Sequence, residues 1–193
     1  MIKAEGKLVF VNVDTNYLET LHNNDNEVQY SSSGYEDKPF VGILIANEQY
    51  KYVVPLSSAK SKHVKWRDTY SDGRFLITDI IDRSAIKPDT IYKEHDEDHV
   101  KRIYAVTDVK KMIPVKEGVY SVVDLTYGED EAKSAYDYKI LQNKEYGACV
   151  KIFARIAKKA DAIYSKQKAT GKVQRFACNY AKLEEVCDNY KVD

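Results

Sequence analysis

The apolar positions of this chain alternate with period two early and recur at three and four late. The densest cluster lies between Lys38 and Lys60, KPFVGILIANEQYKYVVPLSSAK. Phe40, Val41, Ile43, Leu44 and Ile45 place apolar side chains on both pleat faces, which predicts a strand covered on both sides. Asn47 and Glu48 interrupt the run as a turn. Tyr50, Tyr52, Val53 and Val54 form the returning strand, where aromatic and β-branched residues fit the pleated surface. Pro55, which has no N–H to donate, is expected to end regular pairing. Upstream, residues 7–13 read as a strand, Asp14 as the cap of a short helix through Leu21, and residues 23–34 as a polar loop. Downstream, residues 63–74 are mixed and 75–81 suggest a strand. Residues 87–98 look like a loop carrying Pro88 and an acidic run. Residues 102–109 and 112–115 suggest strands, as do 119–125 after the turn at Glu117 and Gly118.

After Gly128 the period becomes helical. Glu129, Asp130 and Glu131 open this region, which suits the positive end of a helix. Gly147 is expected to separate a first helix from a second, in which Cys149, Ile152, Phe153, Ile156, Ala160 and Ile163 make an apolar stripe. The opposite face carries Lys151, Arg155, Lys158 and Lys159, and Gly171 should end it. A last helix spans about 179–190, with Leu183, Val186 and Tyr190 as its stripe. Strands first and helices later predict an α+β fold. It has a β-rich core over about 1–127 and a helical C-terminal region over about 129–191. The 193 residues suit a single domain.

Charge changes this picture more than composition does. The 30 basic and 30 acidic residues cancel, yet they are segregated. From Lys139 to Arg175 there are ten Lys or Arg and two acids, whereas Asp14 to Asp37 holds six acids and no Lys or Arg. A basic surface of this kind attracts polyanions at zero net charge. The 16 tyrosines offer stacking surface and hydroxyls together, a combination that suits RNA. Cys149, Cys178 and Cys187 form no C-x-x-C pair and read as reduced core residues of a cytoplasmic protein. Neither a signal peptide nor an apolar run long enough for a membrane span is visible.

Candidate chemistry is sparse. His95 and His99 flank an acidic run and could share a helix face as zinc ligands, but H-D-E-D-H lacks the H-E-x-x-H order and reads better as a solvated charge run. His22 and His63 are isolated in sequence, and there is no Walker A or G-x-G-x-x-G loop. No metal or cofactor is therefore expected. Ser57, Ser58 and Lys60 place two hydroxyls and an ammonium at the lip of the hairpin, where binding and catalytic groups often sit; the plain alternative is a solvated loop. An RNA substrate would make this scarcity sufficient. The 2′-hydroxyl is a built-in nucleophile, so the protein need only position the phosphate, neutralise developing charge and move protons.

In order, KPFVGILI, YKYVVPLSSAK, KKMIPV and CNYAKLEEVCDNY resemble the ToxN/AbiQ family of endoribonuclease toxins from type III toxin–antitoxin and phage-abortive systems. The similarity spans about Lys38 to Tyr190 and includes a late helix motif at Cys178, Asn179, Tyr180, Leu183 and Glu184. It implies a twisted antiparallel β-barrel core, similar to MazF/Kid toxins, decorated with helices. It also implies a sequence-specific, metal-independent cleavage that leaves a 2′,3′-cyclic phosphate. The implied partner is an RNA antitoxin of tandem pseudoknot-forming repeats, which the toxin processes and which holds it inactive in a closed assembly. By position, Ser57, Ser58, Lys60 and Lys38 fall on the family's active-site residues; the residue at Ser57 is Thr in some relatives. Tyr35 matches an upstream active-site tyrosine, although its spacing to Lys38 is one residue shorter, and Tyr30 is its rival. Lys151, Arg155, Lys158, Lys159, Lys172 and Arg175 are the expected RNA-binding residues, and residues 69–100 receive no role. The alternative function is a non-catalytic RNA-binding module that uses the same basic helix.

Overall fold

In a computed structural model the structure is described for residues 2, 8–30, 40–70, 72–128 and 132–192. The elements are β1 (Phe10–Val13), α1 (Thr15–Asn24), β2 (Phe40–Ala46), β3 (Lys51–Ser58), β4 (Arg74–Asp82), β5 (Tyr92–Glu94), β6 (His99–Asp108), β7 (Ile113–Val115), β8 (Tyr120–Val122), α2 (Lys133–Thr170) and α3 (Tyr180–Asn189). The chain forms two compact units. One comprises Met1–Leu56, Asp108–Val123 and Phe153–Asp193; the other comprises Ser57–Thr107 and Asp124–Ile152.

The first unit is built on the predicted hairpin. β2 and β3 pair antiparallel, with Ile45 opposite Tyr52 and Gly42 opposite Pro55. The turn is closed by Asn47, whose Oδ1 accepts from the backbone N–H groups of Gln49 (2.9 Å) and Tyr50 (2.6 Å). β1 pairs antiparallel with β2 and with β8, and β7 pairs with β3. Gly42 is required by close approach: a Cβ there would run into the Val53 side chain and lie 2.8 Å from the Val54 carbonyl oxygen. Pro55 does not end the strand, as the sequence suggests, because β3 continues to Ser58. Proline's fixed φ remains compatible with extended backbone, so its missing N–H removes one ladder bond without turning the chain. Asp14 caps α1 as expected, accepting from Tyr17 N–H at 2.9 Å, and the helix continues to Asn24.

Gly147 does not divide the helical region. α2 is unbroken over 38 residues, and a Cβ at Gly147 would meet nothing within 4 Å. A glycine in an exposed helix interior costs about 1 kcal/mol, too little to break a helix whose stripe is buried. That stripe is present, with Cys149, Ile156, Ala160 and Ile163 buried. Gly171, at φ 64°, ends α2 and donates its N–H to Gln167 O at 2.8 Å. Asn179 caps α3 by accepting from Lys182 N–H. Buried Glu184 ties α3 to α2 and β3. Its carboxylate accepts from the hydroxyls of Tyr52 (2.5 Å) and Tyr164 (2.7 Å) and from Lys168 Nζ (2.6 Å). Burial and the hydrogen bond to Glu184 push the Tyr164 phenol up to about 12, so it stays a donor.

In the second unit β4 neighbours β6, and β5 pairs antiparallel with β6, Tyr92 opposite Arg102. Residues 87–98 are thus not loop throughout. β5 is three partly exposed residues with no apolar alternation, so its pairing with β6, not local sequence, makes it a strand. Leu76, Ile103 and Val106 form a buried cluster on which Ala59, Trp66 and Ile91 pack. The three cysteines are buried and unpaired.

Candidate functional site

Ser57 and Ser58 are the exposed last residues of β3, and Lys60 is exposed two residues on. The link between them is anchored. Ala59 packs on the Leu76 cluster and donates its N–H to Tyr104 O at 3.3 Å. Lys60 then caps a 3₁₀ turn, Ser61–Lys65, in which His63 closes a reciprocal pair of bonds. Lys60 N–H donates to His63 Nδ1 at 2.9 Å, and His63 N–H donates to Lys60 O at 2.8 Å. The Lys60 ammonium has no ion-pair partner among the described residues.

His63 is the residue that sequence spacing misses. Its side chain is 5% exposed and its ring centroid lies 4.6 Å from that of Trp66. Burial, then the Lys62 and Lys60 cations, hold its pKa below the ordinary imidazole value. The neutral ring suits its role, because an Nδ1 that accepts from Lys60 cannot carry a proton. Trp66 is held in turn: the Arg74 guanidinium stands 4.9 Å from its ring and 4.5 Å from that of Tyr70. Lys93 Nζ donates to Trp66 O and to Asp68 Oδ1 (3.0 Å), while Lys101 Nζ donates to Asp68 Oδ2 (2.8 Å). Burial opposes ionisation of Asp68, but these two ammonium hydrogen bonds hold its carboxyl below the usual value. Residues 69–100, given no role by sequence, therefore include β4, whose Leu76 belongs to the buried cluster on which Ala59 packs.

Tyr35 and Lys38 lie outside the described residues. Tyr30 is half-buried in the first unit, with its ring 5.5 Å from that of His22. His95 and His99 do not share a helix face. They flank the turn between β5 and β6, where His99 Nδ1 lies 2.9 Å from Asp96 Oδ1 and Arg83 bonds the Asp96 and Glu97 carbonyl oxygens. No group of three His, Cys, Asp or Glu side chains among the described residues could hold a metal ion. A cleft of about 560 Å³ lies elsewhere, lined by Thr20, Asn24, Lys182, Glu185, Val186 and Asn189 among others; none of the predicted site residues lines it.

The basic set is mostly open to solvent. Arg155 and Lys158 are exposed on α2 and Lys159 is half-buried. Lys172 and Arg175 are exposed in the connection between α2 and α3. Lys151 is already engaged, its Nζ 2.6 Å from Asp79 Oδ1. No helix among the described residues is long and apolar enough to cross a membrane.

Known proteins are similar to this chain over most of its length. The chain is 27% identical over 191 residues to the endoribonuclease ToxN of Bacillus thuringiensis subsp. kurstaki, covering 94% of this chain and 84% of that protein. It is 25% identical over 178 residues to the endoribonuclease ToxN of Pectobacterium atrosepticum, covering 91% of this chain and 90% of that protein. Its fold matches a type III toxin structure concerned with selective inhibition by a non-coding RNA pseudoknot. The TM-score is 0.68 at 23% identity, over 96% of this chain and 98% of that one. It also matches AbiQ, a lactococcal anti-phage endoribonuclease, with TM-score 0.64 at 17% identity over 95% and 97% of the two chains. These likenesses bear out the α+β class, an antiparallel sheet decorated with helices. The family model for the toxin ToxN of type III toxin–antitoxin systems matches residues 9–188, and the chain belongs to that family.

Proposed function

We propose that the protein is a sequence-specific endoribonuclease that cuts RNA without a metal ion, through attack of the substrate's own 2′-hydroxyl. The observation that carries this reading is the anchored Ser57–Ser58–Lys60 loop: two exposed hydroxyls and an exposed ammonium, with no ion-pair partner among the described residues, held on backbone bonds to His63 and Tyr104. The ribose 2′-oxygen attacks the adjacent phosphorus, the bond to the 5′-oxygen breaks, and a 2′,3′-cyclic phosphate and a 5′-hydroxyl result. Lys60 offsets charge growing on the non-bridging oxygens, and Ser57 and Ser58 donate hydrogen bonds to them. Lys38 and Tyr35 complete the set, the tyrosine moving a proton. We assign Lys158, Lys159, Lys172, Arg175 and Arg155 to the RNA backbone, and Lys151 to the same surface if Asp79 releases it.

The partner in this reading is a folded repeat RNA. The similar toxin structures concern inhibition by a non-coding RNA pseudoknot and regulation by a processed non-coding RNA, which supports an RNA antitoxin here. Cleaved repeat RNA would stay bound through contacts outside the scissile bond, since those hold product as tightly as substrate.

Purified protein incubated with RNA in EDTA should produce 2′,3′-cyclic phosphate ends, and expression in a bacterium lacking the cognate RNA should arrest growth. Lys60→Ala and Ser58→Ala should each lower the rate on the order of 10²–10³-fold while remaining folded. Ser57→Thr should retain activity. Wild-type protein that binds RNA without cutting it would establish the non-catalytic binding module instead. Cleavage that stops with chelation and returns with Mg²⁺ or Zn²⁺ would overturn the metal-free mechanism.

A further inference from the structure

We propose that Phe176 is a stacking platform for an unpaired base of single-stranded RNA; the inference rests on the protein being an RNA-acting toxin. Phe176 lies between α2 and α3 at φ 60°, the one non-glycine at positive φ among the described residues. Left-handed backbone is disfavoured for any side chain with a Cβ, and here burial does not compensate, because the residue is 56% exposed. The surrounding chain enforces the conformation. Ala177 N–H bonds Gln174 O at 3.0 Å, Cys178 N–H bonds Lys110 O at 2.9 Å, and Asn179 N–H bonds Asp25 Oδ2 at 2.7 Å. From behind, Gln167 Nε2 donates to Cys178 O at 3.0 Å. A strained, well-anchored loop thus holds an aromatic ring out in water.

The surroundings specify the occupant. The Arg175 guanidinium stands 4.5 Å from the ring centroid, leaving the rest of the ring for a second flat partner. From Ala162 to Leu183 the sequence contains Lys166, Lys172, Arg175 and Lys182, besides Lys168, which is bound to Glu184, and no acid. An apolar protein partner would have to bury this cationic rim, whereas a nucleotide supplies a π-face for the ring and a phosphate for the cations together. Stacking tolerates any base, so Phe176 should add affinity without setting the cleavage sequence.

The test uses full-length protein and a short oligoadenylate carrying 2-aminopurine, 2′-O-methylated so that it is not cut. Phe176→Gly keeps the positive φ and removes the ring; Phe176→Trp keeps a ring. Phe176→Gly should melt no lower than wild type, bind at least about tenfold more weakly and lose the quenching of 2-aminopurine, while Phe176→Trp binds as wild type. If wild type binds this or mixed-sequence RNA and Phe176→Gly binds it equally well, the platform is wrong and the RNA-acting reading stands. A large fall in melting temperature in Phe176→Gly would make the ring structural, and self-association abolished by that variant would make it a contact between copies; either overturns the inference. Wild-type protein that binds no RNA at all would sink the RNA-acting reading and the platform with it.

Discussion

The Ser57–Lys60 loop owes its shape to a histidine that spacing alone left isolated. Lys60 and His63 are three apart, the separation at which a side chain reaches back to a cap backbone, but that pattern is usually read only for Glu or Gln. A neutral imidazole nitrogen accepts as they do. Ser57, Ser58 and Lys60 stand out in the sequence because their order after Pro55 resembles the family's; His63 does not, because its contact with the loop depends on burial against Trp66. His63→Asn should keep an acceptor near the Lys60 N–H and preserve most of kcat, whereas His63→Phe should lower kcat with little change in KM. Because the folded-state pKa is depressed, the stability His63 contributes is present above the ordinary imidazole value and is lost as pH falls. Wild-type cleavage should therefore weaken on the acid side, and that limb should flatten in His63→Asn. An unchanged acid limb in a rate-against-pH profile would show that the imidazole does not hold the loop.

Among the elements, the hairpin and the last helix followed from sequence, while β5 and the unbroken α2 did not. The successes have strong local signals: Asn47 at the turn, Asp14 and Asn179 as caps, Gly171 at positive φ. The failures are places where partners outweigh propensity. β5 exists through β6, and Gly147 is carried by the buried stripe around it. Gly42→Ala should cost roughly 1–3 kcal/mol of stability, because its Cβ would overlap the opposite strand; a urea unfolding midpoint measures it. On α2, Glu145 titrates at about 7, raised by burial against a weaker opposing effect of Arg102. A folded-state pKa above the ordinary carboxyl value of 4.5 means stability that is fully present below 4.5 and lost as pH rises through 7. The loss amounts to about 3 kcal/mol. Glu145→Gln should remove that slope and be the more stable protein at pH 8 by thermal melting.

For the whole molecule, charge segregation is a prediction about salt. If half a dozen phosphates are engaged, RNA affinity should fall about 10³–10⁵-fold between roughly 50 and 200 mM salt. Charge reversal at Lys158 and Lys172, which are exposed and have no ion pair among the described residues, should reduce the slope of log affinity against log salt by about one per lost contact. Reversal at Lys151 is a poorer probe because it also breaks the bond to Asp79. Unchanged slopes would assign the basic face to solvent alone.

The Glu184 hub has a genetic consequence. A carboxylate that is 4% exposed and answers two hydroxyls and an ammonium cannot lose one partner cheaply; leaving it short of a hydroxyl costs about 1–3 kcal/mol of a total stability of about 5–15. If expression without the proposed antitoxin arrests growth, surviving colonies should be those whose copy has failed. Their inactivating missense changes should therefore fall in two classes. One removes hydroxyls or the ammonium around Ser58 and Lys60 and leaves normal protein levels. The other strikes Tyr52, Tyr164 or Glu184 and makes the protein disappear from the cell, and immunoblots of sequenced survivors would separate the two.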